Sequence, residues 1–286
     1  MNHGREFDPP RHFVVDAVTR AITDDVGPLG DLSAALLSPG DRAVADFIPR
    51  APGVLAGTAC ATETFAQLDP SVRVTWAETD GAPIARGQSI ARLEGPLRSI
   101  LTGERTALNF LCHLSGIATV TRQWVDLAGD LRILETRKTL PGLRALEKAA
   151  VRAGGGTNHR GTLSDMVLIK DNHLVGTAIA AAVRRARELW PGRGVEVECD
   201  RPDQVEEAVA AGVDIVMLDN MTPDDAAKCV EIVRSSVRPD TLVEISGGVS
   251  LDTVASYSTT GADLLSTSMI TQSAPALDIG LDLGAE

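Results

Sequence analysis

The chain has 286 residues, 44% hydrophobic and 23% charged, with a net charge of −12. That is enough apolar material for one barrel-sized domain or two unequal ones, and it excludes global disorder. No apolar run approaches the ~20 residues a membrane span requires, the first residues lack the basic-then-apolar profile of an export signal, and the acidic balance argues against nucleic acid as a partner.

In chain order, a helix is expected near 10–22, then the turn-rich GPLGDLS, then strands near 43–49, 72–77 and 88–92 separated by Gly and Pro. This α+β pattern sets the first hundred residues apart as a domain of their own. A long helical stretch, 97–126, follows. Beyond it the chain alternates: strands at 131–134, 166–169, 195–199, 214–218, 242–245 and 263–266, with helices at 176–189, 202–211, 223–236 and 251–260 between them. Two of these helices open with Pro close behind a polar residue (Asp200-Arg201-Pro202 and Thr222-Pro223), as suits a first turn. Such alternation calls for a parallel sheet, and about six strands without GxGxxG favour a closed or nearly closed β/α barrel over a dinucleotide fold.

The cysteines, Cys60, Cys112, Cys199 and Cys229, show no CxxC and no zinc-like spacing. They read as reduced thiols of a cytoplasmic protein.

Charge is unevenly placed. From Arg132 to Asp171 eight basic residues face four acidic ones, a positive island in an acidic chain, which points to a small anionic ligand. A solvated helix face accounts for Arg144, Lys148 and Arg152, spaced by four, but not for the other bases. In β/α barrels function collects at the C-terminal strand ends. Here those ends read Glu135-Thr136-Arg137-Lys138, Lys170-Asp171-Asn172-His173, Glu198-Cys199-Asp200, Asp219-Asn220, Ser246-Gly247-Gly248 and Ser266-Thr267-Ser268. Arg137, Lys138, Arg160 and Lys170, with His159, offer donors to carboxylate or phosphate. Glu198 and Asp219 offer hard oxygens for ribose hydroxyls or Mg2+. Ser246-Gly247-Gly248, with a helix expected after Val249, would present bare N–H groups to a phosphate. The glycine-rich run ahead of Asn158-His159-Arg160 is a mobile or closely approached loop. His113, in an apolar helix, reads as a core or interface residue.

GERTALNFLCHLSGIAT, ETRKTLPGLRALEKAAVRAGGGTNHR, LSDMVLIKDNH, VEVECD, VMLDN and VEISGGVS resemble the quinolinate phosphoribosyltransferases, a type II phosphoribosyltransferase family. The resemblance runs through nearly the whole barrel and back to GDLS. It implies an α/β chain: an N-terminal α/β sandwich domain, 1–112, and an incomplete β/α barrel, 113–272, with the tail 273–286 free to pack back on the first domain. It implies a transfer of phosphoribosyl from phosphoribosyl pyrophosphate to quinolinate with decarboxylation, a step of NAD biosynthesis, with Mg2+ as cofactor. A homodimer with shared active sites is implied too, a higher oligomer remaining open. By the same resemblance Arg137, His159 and Arg160, beside Thr136, hold the quinolinate carboxylates, and Arg105 reaches the partner subunit's site. Lys138 and Lys170 face the pyrophosphate and the reacting centre. Glu198 and Asp219 serve the ribose and Mg2+, through water or substrate, and Ser246, Gly247, Gly248 and Ser268 form the phosphate loop.

Two positions depart from the family pattern. Ser268 stands where a glycine is usual and Gln272 where a histidine is usual. A serine Cβ narrows the approach of a phosphate. Three other readings therefore stay open: a paralogous pyrophosphorylase for a different aromatic acid, a Schiff-base barrel lyase built on Lys138 or Lys170, and a binding protein without activity.

Overall fold

The computed structural model describes residues 8–284, which divide into two compact units interleaved along the chain. One comprises the chain up to Arg122, Thr139–Gly155 and the C-terminal segment from Ile270; the other comprises Gln123–Lys138 and Gly156–Met269. The sequence boundary at 112/113 falls inside a single long helix, α3 (Leu97–Leu127).

The first unit is built on a four-stranded antiparallel sheet of β1 (Arg42–Pro49), β3 (Arg73–Trp76), β5 (Ala91–Pro96) and β12 (Ile279–Leu283), in the order β12-β1-β5-β3. β1 alternates: Ala45, Phe47 and Pro49 are buried, while the residues between them reach the other face. Phe47 and Leu93 join Phe65 of α2 (Thr58–Leu68), Ile100 and Leu111 in one apolar cluster, and Phe47 stacks on Trp76 with ring centroids 6.0 Å apart. The tail strand β12 pairs with β1 from Ala45↔Leu283 to Pro49↔Ile279. Its approach explains Gly116, where any Cβ would collide with the Pro275 carbonyl. The unit also contains α1 (Arg11–Val26), the short hairpin β2 (Gly53–Val54) with β4 (Pro83–Ile84), and α4 (Arg144–Ala153).

Three expectations need correction here. The strand placed at 88–92 begins only at Ala91, because Gln88 turns back and its Oε1 accepts the Ala85 N–H at 2.9 Å. Helix α2 was missed, since its Ala/Thr-rich sequence carries little periodic contrast. The face of α4 bearing Lys148 is not solvated: Lys148 is buried, and Glu147 beside it accepts from His113 Nε2 at 3.0 Å and from the Leu140 N–H at 3.2 Å.

The second unit is a parallel six-stranded sheet in the order β6-β11-β10-β9-β8-β7. The strands are β6 (Arg132–Leu134), β7 (Val167–Ile169), β8 (Val195–Cys199), β9 (Ile215–Asp219), β10 (Leu242–Ser246) and β11 (Leu264–Ser266), and β6 and β7 form its two edges, so the barrel is incomplete. Helices α5 (Ile179–Leu189), α6 (Pro202–Ala210) and α7 (Pro223–Arg234) connect β7 to β10. Pro opens α6 and α7 as the sequence suggested, and Thr222 caps α7 through the Asp225 N–H. The expected 251–260 helix shrinks to one turn, α8 (Val254–Tyr257).

Period-2 geometry sorts the strand residues. Val195, Val197, Cys199, Val216, Leu218 and Val243 pack with Val205, Val209, Cys229 and Val233 of the helices. That sends the intervening residues (Glu196 and Glu198; Met217 and Asp219; Glu244 and Ser246) to the opposite, inner face. All four cysteines are free thiols, and among the described residues no helix is long and apolar enough to cross a membrane.

Candidate active site

The inner face opens, at the C-terminal strand ends, into a cavity of about 350 Å³ lined by Thr136, Arg137, Lys138, His159, Arg160, Leu168, Lys170, Met217, Ser246 and Ser266. Residues drawn from five strands or their ends and one loop thus meet in one place. A larger hollow of about 580 Å³ in the first unit is lined by Asp8, Glu63, Glu78 and Asp80 with only Arg11 in opposition. Its chemistry is wrong for an anion, and size does not decide between the two.

Local hydrogen bonding fixes the backbone that carries several of the cationic groups. After β6 the chain turns with the Lys138 N–H donating to Thr136 Oγ1 at 3.0 Å. The fully buried Glu135 accepts from Asn158 Nδ2 at 2.8 Å and from the His159 N–H at 3.1 Å. A carboxylate at the end of β6 thereby fixes the loop that carries His159 and Arg160. Arg160 lies against Met166, 3.5 Å from its carbonyl. Burial first, then the nearby charge of Arg137, lowers the Arg160 pKa from the usual guanidinium range. Two guanidinium groups that repel in a partly dry pocket gain most from a ligand with negative charge on two sides.

Lys170, at the end of β7, forms an ion pair with Glu198 of β8. Asp219 and Ser246 are register neighbours at the ends of β9 and β10. Asp219 accepts from Asn220 Nδ2 at 2.8 Å, and the Asn220 N–H donates to the Ser246 carbonyl at 2.8 Å. Gly247 and Gly248 are left-handed, at φ +81 and +68. They do not open a helix, which corrects the expected phosphate cradle: α8 begins only at Val254 and is a single turn. What these glycines offer instead is backbone N–H groups exposed by left-handed geometry.

Ser268 and Arg105 fall outside the cavity. Ser268 lies in the turn after β11 and does not line the cavity; its neighbour Ser266 does, 3.3 Å from the Ser246 hydroxyl. Arg105 is exposed on α3, within the first unit. His159 is 8% exposed, and its Nε2 approaches Glu196 and Glu244 at 3.3 and 3.4 Å. Burial lowers its pKa, but hydrogen bonding and charge from both carboxylates outweigh that and raise it to about 9, while burial raises the carboxyl of Glu196. His159 and Glu196 therefore hold protons jointly.

Sequence reasoning missed Glu135, Glu196 and Glu244 as supports of the site. An alternating strand such as VEVEC signals only that its acids share a face, and sheet curvature decides that Glu196 is buried.

A pocket at the C-terminal ends of a parallel β/α sheet, with several cations beside the Lys170–Glu198 ion pair, defines an incomplete β/α barrel that takes a small anionic ligand. The comparisons specify it further. The family model described as quinolinate phosphoribosyl transferase, C-terminal domain, matches residues 117–282, and the N-terminal domain model matches 31–115. The chain is 40% identical over 285 residues to the nicotinate-nucleotide pyrophosphorylase [carboxylating] of Mycobacterium leprae, covering 97% of this chain and 98% of the relative. It is 37% identical to a quinolinate phosphoribosyltransferase [decarboxylating] of Nicotiana tabacum, covering 98% and 86%. The solved nicotinate-nucleotide pyrophosphorylase of Francisella tularensis superposes with a TM-score of 0.91 at 39% identity, covering 97% and 98%. The chain belongs to the quinolinate phosphoribosyltransferase family.

Proposed function

We propose that this protein joins quinolinate to phosphoribosyl pyrophosphate and releases nicotinate mononucleotide, pyrophosphate and CO2, with Mg2+, in the cytoplasm. The observation that carries the reading is the convergence of Arg137, Lys138, Arg160 and Lys170 on one cavity beside the acid Glu198, in a chain matched by both domain models of the family.

The chemistry follows from that division of charge. The pyridine nitrogen attacks C1′ with its own lone pair, and the C1′–O bond breaks with both electrons leaving on pyrophosphate. The ribose gains oxocarbenium character on the way, so acids near the sugar and cations near the leaving group lower the barrier. Glu198 and Asp219 supply the first, Lys138 and Lys170 the second. Arg137 and Arg160 hold the two ring carboxylates and keep the nitrogen aimed at C1′. With the nitrogen quaternised, the C2–carboxylate bond breaks, its electrons remain on C2, and a proton from water closes the balance.

Glu198 and Asp219 stand on the inner face of the adjacent strands β8 and β9. As hard oxygen donors they fit Mg2+ completed by water and substrate oxygens. When bound, the ion supplies charge neutralisation at the leaving group. The four free thiols fit a reducing compartment. Membership of the family carries the further proposal of a homodimer in which Arg105 completes the neighbouring site. The ion pair of Lys170 with Glu198 speaks against a Schiff-base lyase, which needs an uncommitted amine.

The decisive experiment incubates the protein with phosphoribosyl pyrophosphate, Mg2+ and either quinolinate or nicotinate. Equal yields of nicotinate mononucleotide and CO2 from quinolinate, with no nucleotide from nicotinate, are expected. Turnover of nicotinate alone would assign the pocket to a different ring acid.

A further inference from the structure

Beneath the floor of the pocket, Glu196 of β8 and Glu244 of β10 are fully buried on the inner face of the sheet. Burying carboxylates in a barrel interior is costly, and apolar side chains of similar size commonly fill such positions at less cost. The same sheet shows that filling: Met217 and Leu264, the register partners of Glu244 on either side, are both apolar and buried. Packing alone therefore does not call for two acids here.

Their contacts show what they do. Both approach one atom, Nε2 of His159, at 3.3 and 3.4 Å. The other ring nitrogen, Nδ1, accepts the backbone N–H of Arg160 at 2.7 Å. A nitrogen that accepts an N–H carries no proton of its own, so the geometry places the ring proton on Nε2, between the carboxylates, and leaves the further proton that the raised His159 pKa retains at neutral pH on the carboxyl of Glu196. That tautomer has no lone pair on Nε2, so the cluster is not a metal site, although a histidine and two acids are suitable donors in kind.

We propose that Glu196 and Glu244 are positioning residues for the base-binding end of the pocket. They hold the His159 ring through Nε2–H so that Nδ1 fixes the main chain of Arg160 and with it the aim of the Arg160 guanidinium. The inference rests on the reading of this pocket as the quinolinate site, but the ring geometry it requires does not. The chain of contacts runs from two buried carboxylates through one imidazole to one amide, and ends on a side chain that lines the cavity. His159 thus supports the carboxylate-binding group from behind.

The test has two arms. In the first, protein labelled with 15N-histidine is studied by NMR without substrate, with His159→Asn used to assign the signal. A neutral ring protonated on Nε2 is expected in the parent and in Glu244→Gln, whose amide oxygen still accepts. A proton on Nδ1, or on both nitrogens, overturns the proposal, as does a stoichiometric zinc or transition-metal ion in elemental analysis. This arm needs no turnover, so it stands even if quinolinate proves not to be the substrate.

In the second, Glu244→Leu and Glu196→Leu are compared with the matching Gln variants. The Leu variants should raise KM for quinolinate roughly ten- to a hundredfold, the scale of a misplaced substrate-binding group. KM for phosphoribosyl pyrophosphate should stay within about twofold, and Gln should restore most of the loss. Equal rises in both constants, no rise at all, or Gln no better than Leu overturns it. Should a Leu variant fail to fold, the ring tautomer and the Gln kinetics still decide.

Discussion

The carboxamide of Asn220 occupies the space that a side chain on Gly247 would need. Asn220 is the only non-glycine residue at positive φ among the described residues, at 55°, and it faces a glycine at φ +81. Its N–H donates to the Ser246 carbonyl, and its side chain donates to Asp219. The loops after β9 and β10 are thus locked by one residue that accepts a left-handed backbone and one that can have no Cβ.

Gly247→Ala should therefore suffer twice, from a strained φ and from the collision with Asn220. Strain of this kind costs about 1–3 kcal/mol. Because the loop lies at the sugar-phosphate end of the proposed site, KM for phosphoribosyl pyrophosphate should rise more than KM for quinolinate. Steady-state kinetics on both substrates checks this, and equal effects would remove the loop from the phosphate end.

Much of the barrel was legible beforehand because strand and helix signals alternate strongly after residue 130. All six strands lie within one residue of their expected bounds at each end, and the cations expected at their ends share a cavity. The loop after β10 was misread, since Gly247-Gly248 followed by Val249 imitates a helix start while Ser250 and Thr253 close a turn instead, the Ser250 N–H donating to Thr253 Oγ1 at 2.9 Å. The buried acids were illegible for a different reason. Glu196 and Glu198 occupy the same face of one strand, yet one is fully buried and the other lies at the mouth. Depth along a curved sheet is a property of six strands together and leaves no mark on one of them.

The opposite end of the sheet carries a repeated device for stability. Arg187 of α5 pairs with Asp214, whose carboxylate accepts the Val195 N–H at 2.6 Å. Arg234 of α7 pairs with Asp263, whose carboxylate accepts the Val243 N–H at 2.7 Å. Each acid satisfies the first buried amide of a strand. Asp263→Ala should destabilise by about 1–3 kcal/mol, the cost of stranding a buried N–H, and leave both KM values in place, since this end of a barrel serves stability. Denaturant melts alongside kinetics test it; a large KM change would contradict the separation of roles.

Asp31, in the GDLS turn, accepts the Ser33 and Ala34 N–H groups, each at 2.9 Å, and the Thr102 hydroxyl at 2.9 Å. The Ala34 bond, then the Thr102 bond, hold its carboxyl below the usual carboxylate range. A lowered folded-state pKa stabilises above the unfolded value, near 4, and that contribution is lost as pH falls through the folded value. Asp31→Ala should therefore melt lower than the parent at neutral pH, with the gap closing as the acid transition is approached. A gap constant with pH would show that the charge of Asp31 contributes nothing.

Arg137→Ala should weaken quinolinate binding strongly, because it leaves a ring carboxylate without its partner in a partly dry pocket beside Arg160. Loss of one partner from such a pair costs about 2–5 kcal/mol. The effect belongs mainly in KM for quinolinate, and ethylguanidine added to the variant should recover part of it. An unchanged constant would take Arg137 out of the site.

Arg105 tests the shared-site dimer directly. It is exposed on α3, outside the unit that forms the cavity, whereas Lys138 lines the cavity itself. If each active site takes its Arg105 from the other protomer, Arg105→Ala and Lys138→Ala homodimers are both impaired. In a heterodimer of the two, one site carries both lesions and the other carries neither. Random reassortment of equal amounts places about half of all dimers in this mixed form, so about a quarter of the sites, and of the parent activity, should return. Differently tagged chains, unfolded and refolded together and purified through both tags, isolate the mixed dimer and raise the expected recovery to about half. Activity no higher than the mean of the two parents in that purified species would show that Arg105 serves its own protomer or none.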